Sequence, residues 1–466
     1  MLADQGDALM PGPVAAPRPP AAVIEEIRQS PIQKVKVAVA DIDGVLRGKY
    51  LHKDKFLAAA EGAGFGFCNV VFGWDSGDVC YDNGTYTGWH SGYPDAQARI
   101  DLSTHRTVPW DGGVPFFLGE FVDGTGGPLP ICPRQTLRRV LGRAERLGYT
   151  VRCGMEFEWF NFRETSDSLA AKAGGELTPL TPGMFGYSLI RMAQNRPFFT
   201  ALMDELEQFG IPIEGLHTET GPGVFEAAIL HAPALEAADR ATLFKTAVKE
   251  IGPRFGIMPT FMAKWSSRLP GCSGHSHQSL WADGENRFHD SSGEHGMSAI
   301  FRSYVAGILH LLPEMLPFLA PTVNSYKRLV DGFWAPTKPT WGLDNRTVAC
   351  RVIGGSAKAT RVEVRVPGSD VNPYLAVAAS VGAGLWGIEH GLTLGAPVVG
   401  SGYHADVPRL PRSLQEATAR LAASSALREI LGAACVDHFV ATREWEWRQF
   451  QDAVTDWERQ RYFEII

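Results

Sequence analysis

Cysteine is sparse in this chain and never arranged as a framework. Cys68, Cys80, Cys132, Cys153, Cys272, Cys350 and Cys435 are scattered over 466 residues, and no two are spaced Cys-x-x-Cys. An odd, dispersed set excludes a disulfide scaffold and predicts reduced thiols in the cytoplasm. No uninterrupted apolar run is long enough to span a bilayer, so no membrane partner is expected. The Pro/Ala-rich lead from Met1 to Ala22 lacks the cationic start of a secretory signal and reads as a flexible tail. Neither sign of charge dominates. With 44 Lys and Arg against 51 Asp and Glu, the formal charge is -7, which gives no global field for nucleic acid. No internal repeat is visible.

What is present is an ordinary globular composition, 45% hydrophobic and 20% charged, at a length that supports two domains and a large core. Lys34 to Ala40 alternates toward Asp43-Gly44, a hairpin signal, and Arg47 to Leu51 reads as the returning strand. A helix from about His52 to Ala63 and a strand from Cys68 to Trp74 complete a small α+β domain, residues 23–129. Residues 124–130 have a linker's composition. Beyond them Pro133 opens a helix, Tyr149 to Phe160 reads as a strand, and helices are expected at Asn195–Phe209, Pro233–Ile251, Met297–Phe318 and Tyr374–His390. Two more, Ser413–Leu431 and Asp437–Arg461, close the chain. Alternating helix and strand favours an α/β second domain over residues 130–466.

Five short segments gather charge on one face of a strand: Glu156-Phe157-Glu158, His217-Thr218-Glu219, Val224-Phe225-Glu226, His275-Ser276-His277 and Arg361-Val362-Glu363-Val364-Arg365. Residues i and i+2 share a face. Glu156 and Glu158 therefore oppose Met155, Phe157 and Trp159, and Arg361, Glu363 and Arg365 oppose Val362, Val364 and Val366. A face of acids, imidazoles and guanidiniums is costly unless a charged ligand sits among them. Hard cations such as Mg²⁺ or Mn²⁺ take oxygen ligands and some imidazole. Glu156, Glu158, Glu219, Glu226, His275 and Glu363 are enough for two sites of three ligands each. Arg328, Arg346, Arg351, Lys358, Arg361 and Arg365 form a cationic group suited to carboxylate and phosphoryl oxygens. The mixture suits phosphoryl transfer from a nucleotide to a carboxylate. Taken singly, each segment has a plainer reading: a solvated face, a hydrogen-bonded structural His217, an ion-pair ladder.

Taken in order, these segments resemble the glutamine synthetase family over nearly the whole chain from about Val35. The likeness is carried by Gly154-Met155-Glu156-Phe157-Glu158, by residues 219–226, by Ser273-Gly274-His275-Ser276-His277-Gln278-Ser279-Leu280, by Asn324-Ser325-Tyr326-Lys327-Arg328-Leu329, by Arg361 to Arg365, and by Asn372-Pro373-Tyr374. The resemblance implies a β-grasp-like N-terminal domain followed by a glutamine-synthetase catalytic domain. It implies stacked hexameric rings (a dodecamer) with sites between neighbouring subunits. It assigns Glu158, Glu219 and Glu226 to one Mg²⁺ or Mn²⁺, and Glu156, His275 and Glu363 to a second. By the same matching, Arg328 and Arg365 hold glutamate, with Gly271 on the substrate side. Arg346 and Arg351 stabilise the phosphoryl in flight, and His277, Ser279, Lys358 and Arg361 lie beside ATP. The implied reaction forms γ-glutamyl phosphate from glutamate and ATP, and an amine then displaces phosphate.

The departures from the family pattern cluster on the amine and glutamate side. Its flap glutamate, six residues past the arginine of Asn-Ser-Tyr-Lys-Arg, is here Trp334, a substrate-side residue with no acid to hold ammonium. The Asp-Gly-Ser-Ser latch is reduced to Asp75-Ser76-Gly77-Asp78, which leaves Asp75 as the amine's catalytic base. Val224 replaces a glutamine, and Gly271-Cys272-Ser273-Gly274 replaces Asn-Gly-Ser-Gly. A large aromatic in place of an acid is the change expected for a larger nucleophile, hence a γ-glutamyl-amine ligase. Ordinary glutamine formation is the alternative, and a non-catalytic structural assembly is disfavoured by the complete ligand set. Tyr403 is not expected to be an adenylylation site.

Overall fold

The computed structural model describes residues 18–172 and 175–466. Most of the expected tail, residues 1–17, lies outside them. A helix, Pro20–Gln29, opens with proline where a helix tolerates it and begins inside the last three tail residues. Pro20, Ala21 and Ala22, expected in the tail, are therefore helical.

The hairpin forms as read: β1 (Lys34–Ala40) pairs antiparallel with β2 (Leu46–His52). The helix Lys53–Glu61 follows, its first turn capped by the His52 side chain on Asp54 N–H. β3 is shorter and earlier than expected, Phe65–Cys68, and Asn69–Phe72 forms a 3₁₀ turn instead of continuing the strand. β4 (Asp95–Val108) and β5 (Val114–Phe121) complete a five-stranded sheet in the order β2-β1-β5-β4-β3, in which only β1 and β5 run parallel.

The second sheet is built from β6 (Thr150–Phe162), β7 (Ile213–Thr218), β8 (Val224–Ile229), β9 (Ala232–Pro233), β10 (Met258–Thr260), β11 (Gly274–Ala282), β12 (Glu285–Asn286), β13 (Trp341–Leu343), β14 (Cys350–Ile353) and β15 (Arg361–Val364). Its main order is β13-β14-β15-β11-β6-β8-β7. Helices do alternate with strands here, yet among the described residues every pair in this sheet except β13–β14 is antiparallel. Met155, Phe157, Trp159, Val362 and Val364 are fully buried on one face. That face rests on the helix Ala234–Ile251, behind which Pro373–Glu389 crosses Ala299–Leu319. The crossing is close because both helices present glycine: a Cβ on Gly387 would lie 2.5 Å from the Gly307 Cα. The other face of the sheet carries the charge.

The last two expected helices are each broken in two. Ser424 ends Leu414–Ala423 and caps Ser425–Leu431, and Thr455 with Glu458 makes a capping box that separates Ala433–Asp452 from Asp456–Tyr462. Two buried polar joints fix the small sheet to the helices. Arg134 donates to both oxygens of Asp239 at 2.8 Å, to Asp101 at 2.9 Å and to Glu120. Arg443 binds Asp43 at 2.6 Å, beside the hairpin loop whose carbonyls at Asp41 and Ile42 accept from Asn372.

Candidate active site

Strand register decides which acids meet. β8 sets Glu226 directly opposite Glu158 on β6, and β11 sets His275 opposite Glu156. β7 sets His217 opposite Glu226, β15 sets Glu363 opposite His277, and β14 sets Arg351 opposite Glu363. The result is a cleft of about 560 Å³ lined by Glu156, Glu158, Glu219, Glu226, His275 and Glu363 on one side, and by Arg328, Arg346, Arg351, Arg361 and Arg365 on the other. A second cavity of about 450 Å³ shares Glu156, His277 and Arg361 with it and is lined by Ser279 and Lys358.

Like charges placed opposite in a sheet are unfavourable, and the acid cluster shows the strain. Burial, together with the Glu156, Glu158 and Glu219 carboxylates, pushes the Glu226 carboxyl far above its ordinary range. Against burial, hydrogen bonds with Glu226, His275 and His277 hold Glu156 well below it. Carboxylates crowded in this way are relieved by a cation among them. The donor set fits a hard divalent metal. Ligand atoms of His217, Glu219 and Glu226 lie within 4.8 Å of one another. His275 Nδ1 lies 3.2 Å from Glu363 Oε1 and 3.7 Å from Glu156 Oε1, so a second set converges beside the first. Glu158 meets the cluster across the ladder, one of its oxygens accepting from Ser273 N–H at 2.6 Å.

The cationic wall is ordered by the same acids. Glu363, 1% exposed, accepts from Arg351 at 2.8 Å and from Arg365 at 2.5 Å. Against burial, the charges of His275, Arg365 and His277 bring its carboxyl down to about 2. The ion-pair ladder is therefore half real: Arg365 pairs with Glu363, whereas Arg361 turns to His277 Nδ1 at 3.2 Å. Arg365 Nε is buried with no hydrogen-bond partner, and such a donor in a cleft wall asks for an anion. Arg328 spans the back of the cleft, donating to the Val366 and Arg365 carbonyls at 2.8 and 3.2 Å. Gly271 is glycine for a physical reason, since a Cβ there would stand 2.3 Å from the Ala263 carbonyl oxygen and 2.8 Å from Arg328 Cγ.

The mouth is aromatic. Trp334 is 57% exposed and has a left-handed backbone at φ 64°, a conformation that bulky residues rarely adopt. Phe333 beside it lies over the buried Lys264 ammonium, 4.3 Å from Nζ to ring centroid. Tyr187, also left-handed at φ 55°, stacks on His217 with centroids 4.2 Å apart and lines the same cleft.

Residues 130–462 match the glutamine synthetase catalytic domain. The chain belongs to the glutamine synthetase family. It is 55% identical to a type-1 glutamine synthetase 2 of Dictyostelium discoideum over 95% of this chain and 86% of that protein. It is 36% identical to a glutamate–isopropylamine ligase of a Pseudomonas species, covering 94% of this chain and 97% of the other. A γ-glutamylethanolamide synthetase of Streptomyces coelicolor is 37% identical over 97% of this chain and 98% of its own. Among solved structures, ligand-free GmaS superposes with a TM-score of 0.83 at 27% identity, covering 95% of this chain and 99% of that one. The protein is a carbon–nitrogen ligase of the glutamine synthetase type.

In this member of the glutamine synthetase family, the residues expected for the metals, for glutamate and for the phosphoryl group line a single cleft, and those expected for the nucleotide line the cleft or the cavity joined to it. Asp75 does not line the cleft: its Oδ1 caps Gly77 and Val79 N–H, and its Oδ2 accepts from Trp445 Nε1 at 3.0 Å. His217, left open in the sequence, belongs to the acid cluster. Tyr187 was missed altogether because it sits in a loop, where no periodicity marks a face. All seven cysteines are free thiols. Among the described residues, no helix is long and apolar enough to cross a membrane.

Proposed function

We propose that the protein is an ATP-dependent γ-glutamyl-amine ligase whose nucleophile is an organic amine larger than ammonia. The observation that carries this reading is the exposed, left-handed Trp334 on the lip of the cleft, where the family pattern has a glutamate. An indole offers apolar area and a π face to a substituted ammonium, and no acid to hold a bare one. Tyr187 adds a second ring to the same mouth. Two relatives carry names that specify organic amine products or substrates, which supports the reading.

In this scheme Arg328 and Arg365 grip glutamate, with the orphaned Arg365 Nε taking a carboxylate oxygen. The γ-carboxylate oxygen attacks the γ-phosphorus of ATP and ADP leaves. Arg346 and Arg351 offset the charge on the phosphoryl, while His277, Ser279, Lys358 and Arg361 orient the nucleotide. Mg²⁺ or Mn²⁺, held by Glu158, Glu219, Glu226 and by Glu156, His275, Glu363, would supply electrostatic clamping of phosphate oxygens. The amine nitrogen then attacks the acyl carbon of γ-glutamyl phosphate, phosphate departs, and Asp75 accepts the amine's proton. Because Asp75 is absent from the cleft of its own chain, we assign it to the site of a neighbouring subunit in a ring-shaped oligomer. We place the division between N-terminal and catalytic domains at residue 130 and the enzyme in the cytoplasm, a location that the free thiols support.

Ordinary glutamine synthesis is the second reading, favoured by the 55% identity to a relative named a type-1 glutamine synthetase. Phosphate release with glutamate, ATP and a panel of amines separates the two. An organic amine with the highest kcat/KM supports the proposal; ammonia ahead of every organic amine overturns it.

A further inference from the structure

We infer that Asp344 is a positioning residue that holds Arg351 ready for the transferred phosphoryl group. The inference rests on the reading of Arg351 as a phosphate-side residue. Asp344 directly follows β13, and its backbone is left-handed at φ 47°. The turn is pinned on both sides: Asp344 N–H donates to the Val352 carbonyl at 2.9 Å, and Asn345 Nδ2 donates to the Gly400 carbonyl at 2.7 Å. That conformation swings the Asp344 carboxylate over Arg351. Arg351 Nε and one terminal nitrogen donate to Asp344 Oδ1 at 2.9 and 2.5 Å. Its other terminal nitrogen donates to Glu363 Oε2 at 2.8 Å. The guanidinium is thereby fixed on two edges, by an acid outside the cleft and by a metal-ligand candidate inside it. Its remaining N–H groups are left for an anion in the cleft that Arg351 lines.

The two ends of this pair differ sharply in exposure. The Asp344 side chain is 74% exposed, whereas that of Arg351 is 13% exposed. An exposed acid of this kind contributes little to stability. What it contributes is orientation: without it, Arg351 keeps only the Glu363 contact and rotates about a flexible stem. Misplacing a group that must meet the reacting atoms in one orientation by 1 Å can cost about 100-fold in rate. Aspartate is also one of the few non-glycine residues that tolerate this backbone region, so one position supplies both the turn and the clamp.

The test separates carboxylate from backbone. Asp344→Gly keeps the left-handed turn and removes the carboxylate; Asp344→Asn keeps the turn and an uncharged acceptor. Both are compared with Arg351→Ala by ADP release at saturating Mg²⁺, glutamate and ATP, using an amine that the wild type turns over. The expected result is a kcat about 10-fold lower in Asp344→Gly, an unchanged KM for glutamate, an unchanged unfolding temperature and partial recovery in Asp344→Asn. Wild-type kcat in Asp344→Gly beside an inactive Arg351→Ala overturns this inference alone. A lowered unfolding temperature with no recovery in Asp344→Asn makes the role structural and overturns it too. Wild-type activity in Arg351→Ala overturns the phosphate-side reading of Arg351, and the inference with it.

Discussion

Replacing Glu226 with glutamine should stabilise the metal-free protein while removing its activity. Glu226 is 8% exposed, faces Glu158 across the ladder, and has ligand atoms of Glu219 and His217 within 4.8 Å. Two unit charges within 4.8 Å of each other repel by about 3.5 kcal/mol or more at an effective dielectric constant near 20. The metal-free fold escapes by keeping Glu226 protonated, since its carboxyl is held far above the ordinary 4.5. The stability of a group with a raised folded pKa is complete below the unfolded value and is lost as pH rises toward the folded one. Near neutral pH, above the unfolded value and below the folded one, holding that proton in the fold costs about 3 kcal/mol. Either route gives a penalty of about 3 kcal/mol that Glu226→Gln removes. For a chain of this length that is a rise of about 3 °C in unfolding temperature. Thermal unfolding of both proteins in a chelator and then in excess Mn²⁺ reads it out. Wild type should gain about 2.7 kcal/mol at a hundredfold excess over Kd, and the variant should gain little. A variant that melts lower than wild type in chelator, or that gains equally from Mn²⁺, would refute the reasoning.

Other outcomes follow from the same contacts. Glu363→Ala should nearly abolish ADP release with every amine, because it removes a ligand candidate and the acceptor for Arg351 and Arg365; activity within tenfold of wild type would remove Glu363 from the site. Trp334→Glu should shift kcat/KM toward ammonia and away from organic amines, measured as a ratio within one preparation. Arg134→Met strands Asp239, 2% exposed and left with the Tyr374 hydroxyl at 2.7 Å, so stability should fall by about 3–5 kcal/mol. In Arg134→Met/Asp239→Asn much of that loss should return. Burial holds His438 at about 4, below its ordinary 6.5, so its contribution is present above 6.5 and lost as pH falls toward 4. The unfolding-temperature difference between wild type and His438→Gln should therefore narrow between pH 7 and pH 5.

The charged faces were legible because a strand's two-residue period is written in the chain: Glu156 and Glu158 against Met155, Phe157 and Trp159 needed no partner to be read. The pairing of those faces was not. That Glu226 stands opposite Glu158, and His217 opposite Glu226, is a property of register between strands far apart in sequence. The strand expected through Trp74 failed because Asn69-Val70-Val71-Phe72 has strand composition but buries Val71 and Phe72 from a tight turn. Both long C-terminal helices were read through their breaks. The second break falls at Thr455, whose capping box with Glu458 starts a new helix that the reading of Asp437–Arg461 as one element did not take into account. Asp75 illustrates a different limit: a loose motif match carried it into the site, whereas its carboxylate caps Gly77 and Val79 N–H and accepts from Trp445 outside the cleft.

The most direct test of the account is a competition. Purified enzyme, glutamate, ATP and Mg²⁺ are given ammonium together with equimolar primary alkyl, hydroxyalkyl and aryl amines, and the γ-glutamyl products are separated and counted by mass spectrometry. Product ratios read the ratios of kcat/KM. A γ-glutamyl amide of an organic amine should be the dominant product; glutamine as the dominant product would contradict the account.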